Sequence, residues 1–137
     1  MFEPIEIPYG CVMLFNVVDL KDGVSVADVE LVLGDMCNVV KNTYGDEAGG
    51  FIAGQVYKYS GFISEEGSIG DVPDGNATSA KIKQGELVIV TYWKSFEQHE
   101  RSHADKTFKE KFSALVEFCD ETFELGYELL WQGVPDK

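Results

Sequence analysis

The chain's two histidines, His99 and His103, stand four residues apart in the stretch 93–103. On an α-helix that spacing puts both imidazoles on one face, one turn apart, with Phe96 beside them. Two imidazoles so placed can chelate a divalent metal ion through neutral ring nitrogens. The same spacing also suits a solvated or hydrogen-bonded pair, and the spacing alone does not separate the two. The helix itself is well specified. Ser95 followed by Gln98 has capping-box spacing, in which the hydroxyl accepts from a first-turn N–H and the Gln side chain returns to the cap's own N–H. A helix therefore starts at Phe96.

Other elements must bring further groups to that helix. Residues 86–93 (ELVIVTYW) are the clearest strand and lead straight into it. Beyond it, Phe108, Phe112, Leu115, Val116 and Cys119 form a second apolar stripe. At about 100° per residue, one straight helix would turn both histidines away from that stripe. This predicts a break with Asp105 as a new N-cap, giving a short helix over residues 96–103 and a longer one over about 106–120. Upstream, residues 10–20 are a β-branched and aromatic run closed by Lys21-Asp22-Gly23, a first strand. Ser25 with Asp28 is a weaker capping pair, and Val29, Val32, Leu33, Met36, Val39 and Val40 then recur at helical spacing up to Tyr44-Gly45. Cys37 lies beside that stripe, where a thiol ordinarily serves as a small core hydrophobe. Residues 49–63 read as a second strand with Gly54 as a bulge or close-approach site. Residues 64–84, rich in Gly and Asp, are a long connection, either a lid over a pocket or a hairpin tip. Residues 122–132 are the last strand, in which Thr122, Glu124, Gly126, Glu128 and Leu130 share one face.

The order is βαββαβ, the ferredoxin-like α+β plan, with a four-stranded antiparallel sheet and the helices on one face. Residues 1–137 read as one domain with its core over about 10–132. The strands are apolar on both parities, so the second sheet face needs a cover. A second copy of the chain supplies it economically, as a homodimeric α/β barrel. A formal charge of −13 argues against nucleic acid and anionic membrane surfaces as partners, since both require clustered Lys and Arg. No window approaches eighteen apolar residues. Residues 1–8 are acidic and proline-interrupted, unlike a signal peptide, and three widely spaced cysteines suit reduced thiols, so a cytoplasmic protein is expected. A cavity between helices and sheet, walled by Phe15, Phe51, Tyr57, Phe96 and Phe112, would suit a long apolar or aromatic small molecule.

Val90-Thr91-Tyr92-Trp93-Lys94 followed by His99-Glu100-Arg101-Ser102-His103 resembles the sulfur oxygenase reductases of the dimeric α/β-barrel group, with antibiotic-biosynthesis monooxygenases as broader relatives. The resemblance covers roughly residues 10–132. It implies that His99 and His103 hold a mononuclear non-haem iron and that Glu128, after Tyr127, completes the site. It also implies that Cys37, late in the first helix, carries the sulfur substrate as a persulfide. Two imidazoles and one carboxylate would leave open positions on Fe(II) for oxygen and substrate. The chain departs from that family in having one ferredoxin-like unit where the family has two, in the longer run between Cys37 and Phe51, and in Tyr127 where the family has Trp. Three functions follow as expectations. One is an iron oxygenase acting on sulfur or a small thiol; the second is a metal-free module binding a long apolar ligand. The third is a cofactor-independent monooxygenase in which His99 or His103 orients an aromatic substrate.

Overall fold

A computed structural model describes residues 3–63, 69–70 and 86–137. Its elements are β1 (Val12–Leu20), α1 (Val26–Thr43), β2 (Phe51–Lys58), β3 (Phe62–Ile63), β4 (Ile69–Gly70), β5 (Leu87–Trp93), α2 (Phe96–His103), α3 (Lys106–Val116) and β6 (Cys119–Glu128). The main sheet is antiparallel with the order β2-β5-β1-β6, and β3 pairs with β4 in a separate hairpin. Apart from that hairpin this is the expected βαββαβ order, with the first and third main strands central. The fold is ferredoxin-like.

Alternation along β1 decides how the sheet is covered. Val12, Leu14, Val18 and Leu20 are buried and belong to one core with Val29, Leu33, Met36 and Val40 of α1 and Phe108 and Leu115 of α3. Burying a Val or Leu side chain contributes about 1.5–3 kcal/mol, so this layer alone fixes the helices on that face. Asn16 is the one polar residue in the same alternation. Met13, Phe15 and Val17 turn to the opposite face. There Phe15 meets Tyr127 edge to face at 6.4 Å, and Tyr57, Leu125 and Tyr127 are exposed.

The predicted break between the helices is present. Asp105 caps α3, its carboxylate accepting from the Thr107 N–H at 2.9 Å. Several boundaries differ from expectation. Gly10 sits at φ 85 in a turn, so β1 begins at Val12. The irregularity in β2 falls between Phe51 and Ala53, which makes Ile52 the extra residue and leaves Gly54 in register with Thr91. Residues 49–63 hold two strands instead of one, because β2 ends at Lys58 and Phe62–Ile63 pairs with Ile69–Gly70. α3 ends at Val116 rather than near 120: Glu117 and Phe118 bond back to Ser113 and Leu115 in a tight last turn, and Cys119 then pairs with Leu20. β6 stops at Glu128 rather than at 132 because its partner there, Val12, is the first residue of β1. The expected 64–84 connection lies outside the described residues except for Ile69–Gly70. Among the described residues no helix is long and apolar enough to cross a membrane.

Candidate functional site

The sequence positions α2 from both ends. At its start Ser95 accepts from the Gln98 N–H at 3.2 Å. The Gln98 side chain does not return to the cap N–H. Its Oε1 accepts from the Ser95 hydroxyl, and its Nε2 donates to the carbonyls of Glu47 and Ala48 at 3.1 and 3.2 Å. The reciprocal capping box occurs at Ser25 and Asp28 of α1 instead. Gln98 thus ties α2 to the loop entering β2, where Gly50, at φ 76, leaves the space that Gln98 occupies. Beside it the Phe96 ring lies over Gly126 of β6.

So held, α2 turns both imidazoles onto β6. Nε2 of His99 is 3.3 Å, and Nε2 of His103 3.9 Å, from the same oxygen, Oε1 of Glu124. His99 is 6% exposed, packed edge to face on Trp93 at 5.2 Å, and its carbonyl accepts from the Ser102 hydroxyl at 2.6 Å. Trp93 is itself fixed by its Nε1 donating to Thr91 Oγ1 at 2.8 Å. The His103 ring lies 4.2 Å from that of His99 and 4.5 Å from that of Phe108. Burial, and then the neighbouring His99, hold the His103 imidazole below its ordinary pKa, while Glu124 pulls it the other way. Asn16 is the cross-strand partner of Glu124 and donates to its other oxygen at 3.5 Å. The Asn16 Oδ1 is buried without a hydrogen-bond partner among the described residues.

The cluster is a wall between two spaces. One is an open cavity of about 900 Å³ between α1, α3 and the sheet, lined by Met36, Cys37, Phe51, Trp93, Phe108 and Phe112 among others. The other is a cleft of about 360 Å³ lined by Leu14, Phe96, Glu100 and Gly126. His99, His103 and Glu124 border both.

His99 and His103 therefore come together as the sequence suggests, but the carboxylate beside them is Glu124 and not Glu128. The two glutamates share a face of β6, yet four residues of strand separate them by about 13 Å. Glu128 is exposed at the end of β6 opposite Val12, beyond the reach of the histidines. Cys37 lines the large cavity and is half-buried, and burial pushes its thiol up in pKa, away from the thiolate that a sulfur carrier needs. Of the five expected wall residues, Phe51 and Phe112 line the cavity and Phe96 lines the cleft, while Tyr57 borders the cavity only from the edge strand β2, its register with Val88 and Val17 placing it on the other sheet face. Phe15 faces away, on the other side of the sheet with Tyr127. Glu124 and Asn16 are site residues that the sequence did not single out. Shared parity puts Glu124 and Glu128 on one face of the last strand, and only the register of β6 on β1 chooses between them.

No protein-family model and no curated protein matches the sequence. The likeness is in three dimensions. The cofactor-independent oxygenase SnoaB of Streptomyces nogalater superposes with TM-score 0.60 at 13% identity, over 93% of this chain and 99% of that one. An antibiotic-biosynthesis monooxygenase candidate from Caulobacter crescentus does so with TM-score 0.60 at 13% identity, over 90% and 92%. A dimeric protein of unknown function and ferredoxin-like fold from Bacteroides fragilis has TM-score 0.55 at 11% identity, over 88% and 97%. The shared fold is ferredoxin-like. At such identities it is the fold that is shared, and the reaction must be argued from the site.

Proposed function

We propose that this chain is an oxygenase-type enzyme that takes an aromatic or apolar small molecule into the helix–sheet cavity and removes a proton from it with His103. The observation that carries this reading is the convergence of two imidazoles on one carboxylate oxygen at the wall of a cavity of about 900 Å³. A cavity of that size, mostly aromatic and aliphatic with a few convergent polar groups, is the ordinary form of a small-molecule site. The cofactor-independent oxygenase among the structural neighbours supports the metal-free form of the reaction.

The residues divide the work. His103 is held below its ordinary pKa, so near neutral pH it is an unprotonated base. The imidazolium formed when it takes the proton is stabilised by Glu124, which His99 and Asn16 keep in place. Once deprotonated, the substrate keeps the bonding electron pair and is electron-rich enough to pass an electron to dioxygen, the second substrate. The proton leaves to water through the cleft beside Glu100.

A second reading gives the same three residues to a divalent metal, and a specific observation favours it. Their donor atoms lie within 4.8 Å of one another. Ligands at about 2.1 Å from one ion stand roughly 3.0–4.2 Å apart. The 3.3 and 3.9 Å separations already meet that range, and a small side-chain shift brings the third within it. His99, His103 and Glu124 would then hold the ion with Asn16 as the outer partner of Glu124. Fe(II) bound there would supply open positions for dioxygen. The sulfur-specific form of this reading is weakened by Glu128 being remote and by the raised Cys37 thiol.

An oxygen electrode separates these readings, using a panel of fused-ring phenols and hydroquinones. Chelator-treated protein is expected to consume dioxygen with at least one of them, and His103→Ala is expected to lose about 10²-fold. Uptake only after Fe(II) is restored would favour the metal. No uptake in either state would end the oxygenase reading. We also propose that the sheet face bearing Phe15, Tyr57, Leu125 and Tyr127 is covered by a second copy, since an apolar sheet face of this kind is not left to water. Light scattering should then give about twice the 15.2 kDa chain mass, or a multiple of that dimer mass, and a stable monomer would contradict the pairing.

A further inference from the structure

Residues 3–9, ahead of β1, form neither helix nor strand, yet they have a defined course. The segment is clasped by residue 132 beyond β6: Gln132 Nε2 donates to the Ile7 carbonyl at 2.7 Å, and the Tyr9 hydroxyl donates to the Gln132 carbonyl at 3.3 Å. Held there, residues 3–6 become part of the large cavity's lining, next to α1 and β2. Glu3 and Glu6 are solvent-exposed and still line the cavity, which puts them on its rim. Glu124 adds a third carboxylate to the lining, and among the described lining residues Lys41 is the one Lys or Arg. The formal charge around the opening is therefore negative, in a chain already at −13.

We propose that Glu3 and Glu6 make the clasped segment a charge filter, so that the cavity selects uncharged or cationic aromatic ligands over anionic ones of the same shape. This rests on the reading that the cavity is the ligand site, and it narrows the substrate class within it. An aromatic carboxylate entering past the rim would have two like charges near its path and Glu124 as a third in the lining. Two unit charges at distances on the order of 9 Å, in a water-like dielectric, weaken an anion by about fivefold at low salt. That penalty is screened as the Debye length falls below the separation. A substrate that loses its proton only after binding, to His103, passes this filter in neutral form. The same molecule already ionised in solution does not.

Isothermal titration calorimetry with naphthalenemethanol, naphthylmethylammonium and naphthoate of the same ring position tests this on the full chain. Naphthoate should bind about fivefold or more weakly than the alcohol at low salt, with the gap narrowing at high salt. E3Q/E6Q should close most of that gap. E30Q/E117Q makes the same net charge change at exposed positions away from the cavity and should leave the gap in place. Naphthoate binding as tightly as the alcohol, or an unchanged gap in E3Q/E6Q, would overturn the filter while leaving the cavity as a ligand site. Equal closure by the control pair would assign the effect to overall charge and overturn it too. Absence of binding by all three probes would fail the ligand-site reading itself, and the filter with it.

Discussion

Replacing Gly126 with alanine would put a Cβ 2.8 Å from Cε1 and 3.3 Å from Cζ of Phe96. Carbon atoms in ordinary contact stand about 3.5–4.0 Å apart, so the closest approach is short by about 0.7 Å or more. β6 is paired with β1 along its length and cannot back away, which leaves the Phe96 ring to move. Phe96 opens α2, and its displacement shifts the helix start that sets His99 against Glu124. Overpacking by one methyl costs about 1–3 kcal/mol, offset by about 0.5 kcal/mol from removing a strand glycine. A net loss of about 1–2 kcal/mol lowers Tm by about 4–8 °C in a domain of this size. Thermal and urea denaturation followed by circular dichroism measure it. Phe96→Leu in the same chain makes room for the methyl, and a double-mutant cycle should return a coupling of about 1 kcal/mol in favour of the pair. If Gly126→Ala proved as stable as the parent, or its cost were unchanged by Phe96→Leu, the close packing of α2 on β6 would not be what holds the site.

Two further outcomes follow from the same geometry. Ser95→Ala removes the acceptor for the Gln98 N–H and should cost about 1 kcal/mol by urea denaturation, with Ser95→Asp restoring most of it. Acid should weaken the fold through His103. Its folded pKa lies below the ordinary value of about 6.5, so between those two values the unfolded chain binds more protons, and stability falls as pH drops through that window. His103→Gln should flatten that part of the urea-midpoint profile.

Much of the frame was legible because local chemistry and long-range packing agree. Ser95 and Asp105 are caps at their expected positions, and the angular mismatch between His103 and Phe108 anticipates the break that lets both face inward. The carboxylate was not legible. Strand parity offers Glu124 and Glu128 equally, and the choice is made by pairing, in which Asn16 opposes Glu124 while Glu128 meets the first residue of β1. Phe15 was misplaced for a related reason: β1 is apolar on both parities, so composition does not say which set faces the helices. Asn16 resolves it in retrospect, since a polar residue among Val12, Leu14, Val18 and Leu20 marks where the core face opens into a cavity. The Gln98 side chain shows tertiary structure overriding a local motif. Its amide satisfies two loop carbonyls, Glu47 and Ala48, that sequence spacing could not connect to it.

Convergence of His99 and His103 on Glu124 underlies both reactions proposed for the site, and imidazole NMR of chelator-treated protein tests it most directly. His103 should titrate below about 6.5 and its midpoint should fall further in Glu124→Gln, because the carboxylate that pulls it upward is removed. Ring protons of His99 and His103, whose centroids are 4.2 Å apart, should show mutual cross-relaxation. A His103 midpoint at or above the ordinary value and indifferent to Glu124→Gln, with no contact between the two rings, would contradict the cluster and both reactions proposed for it.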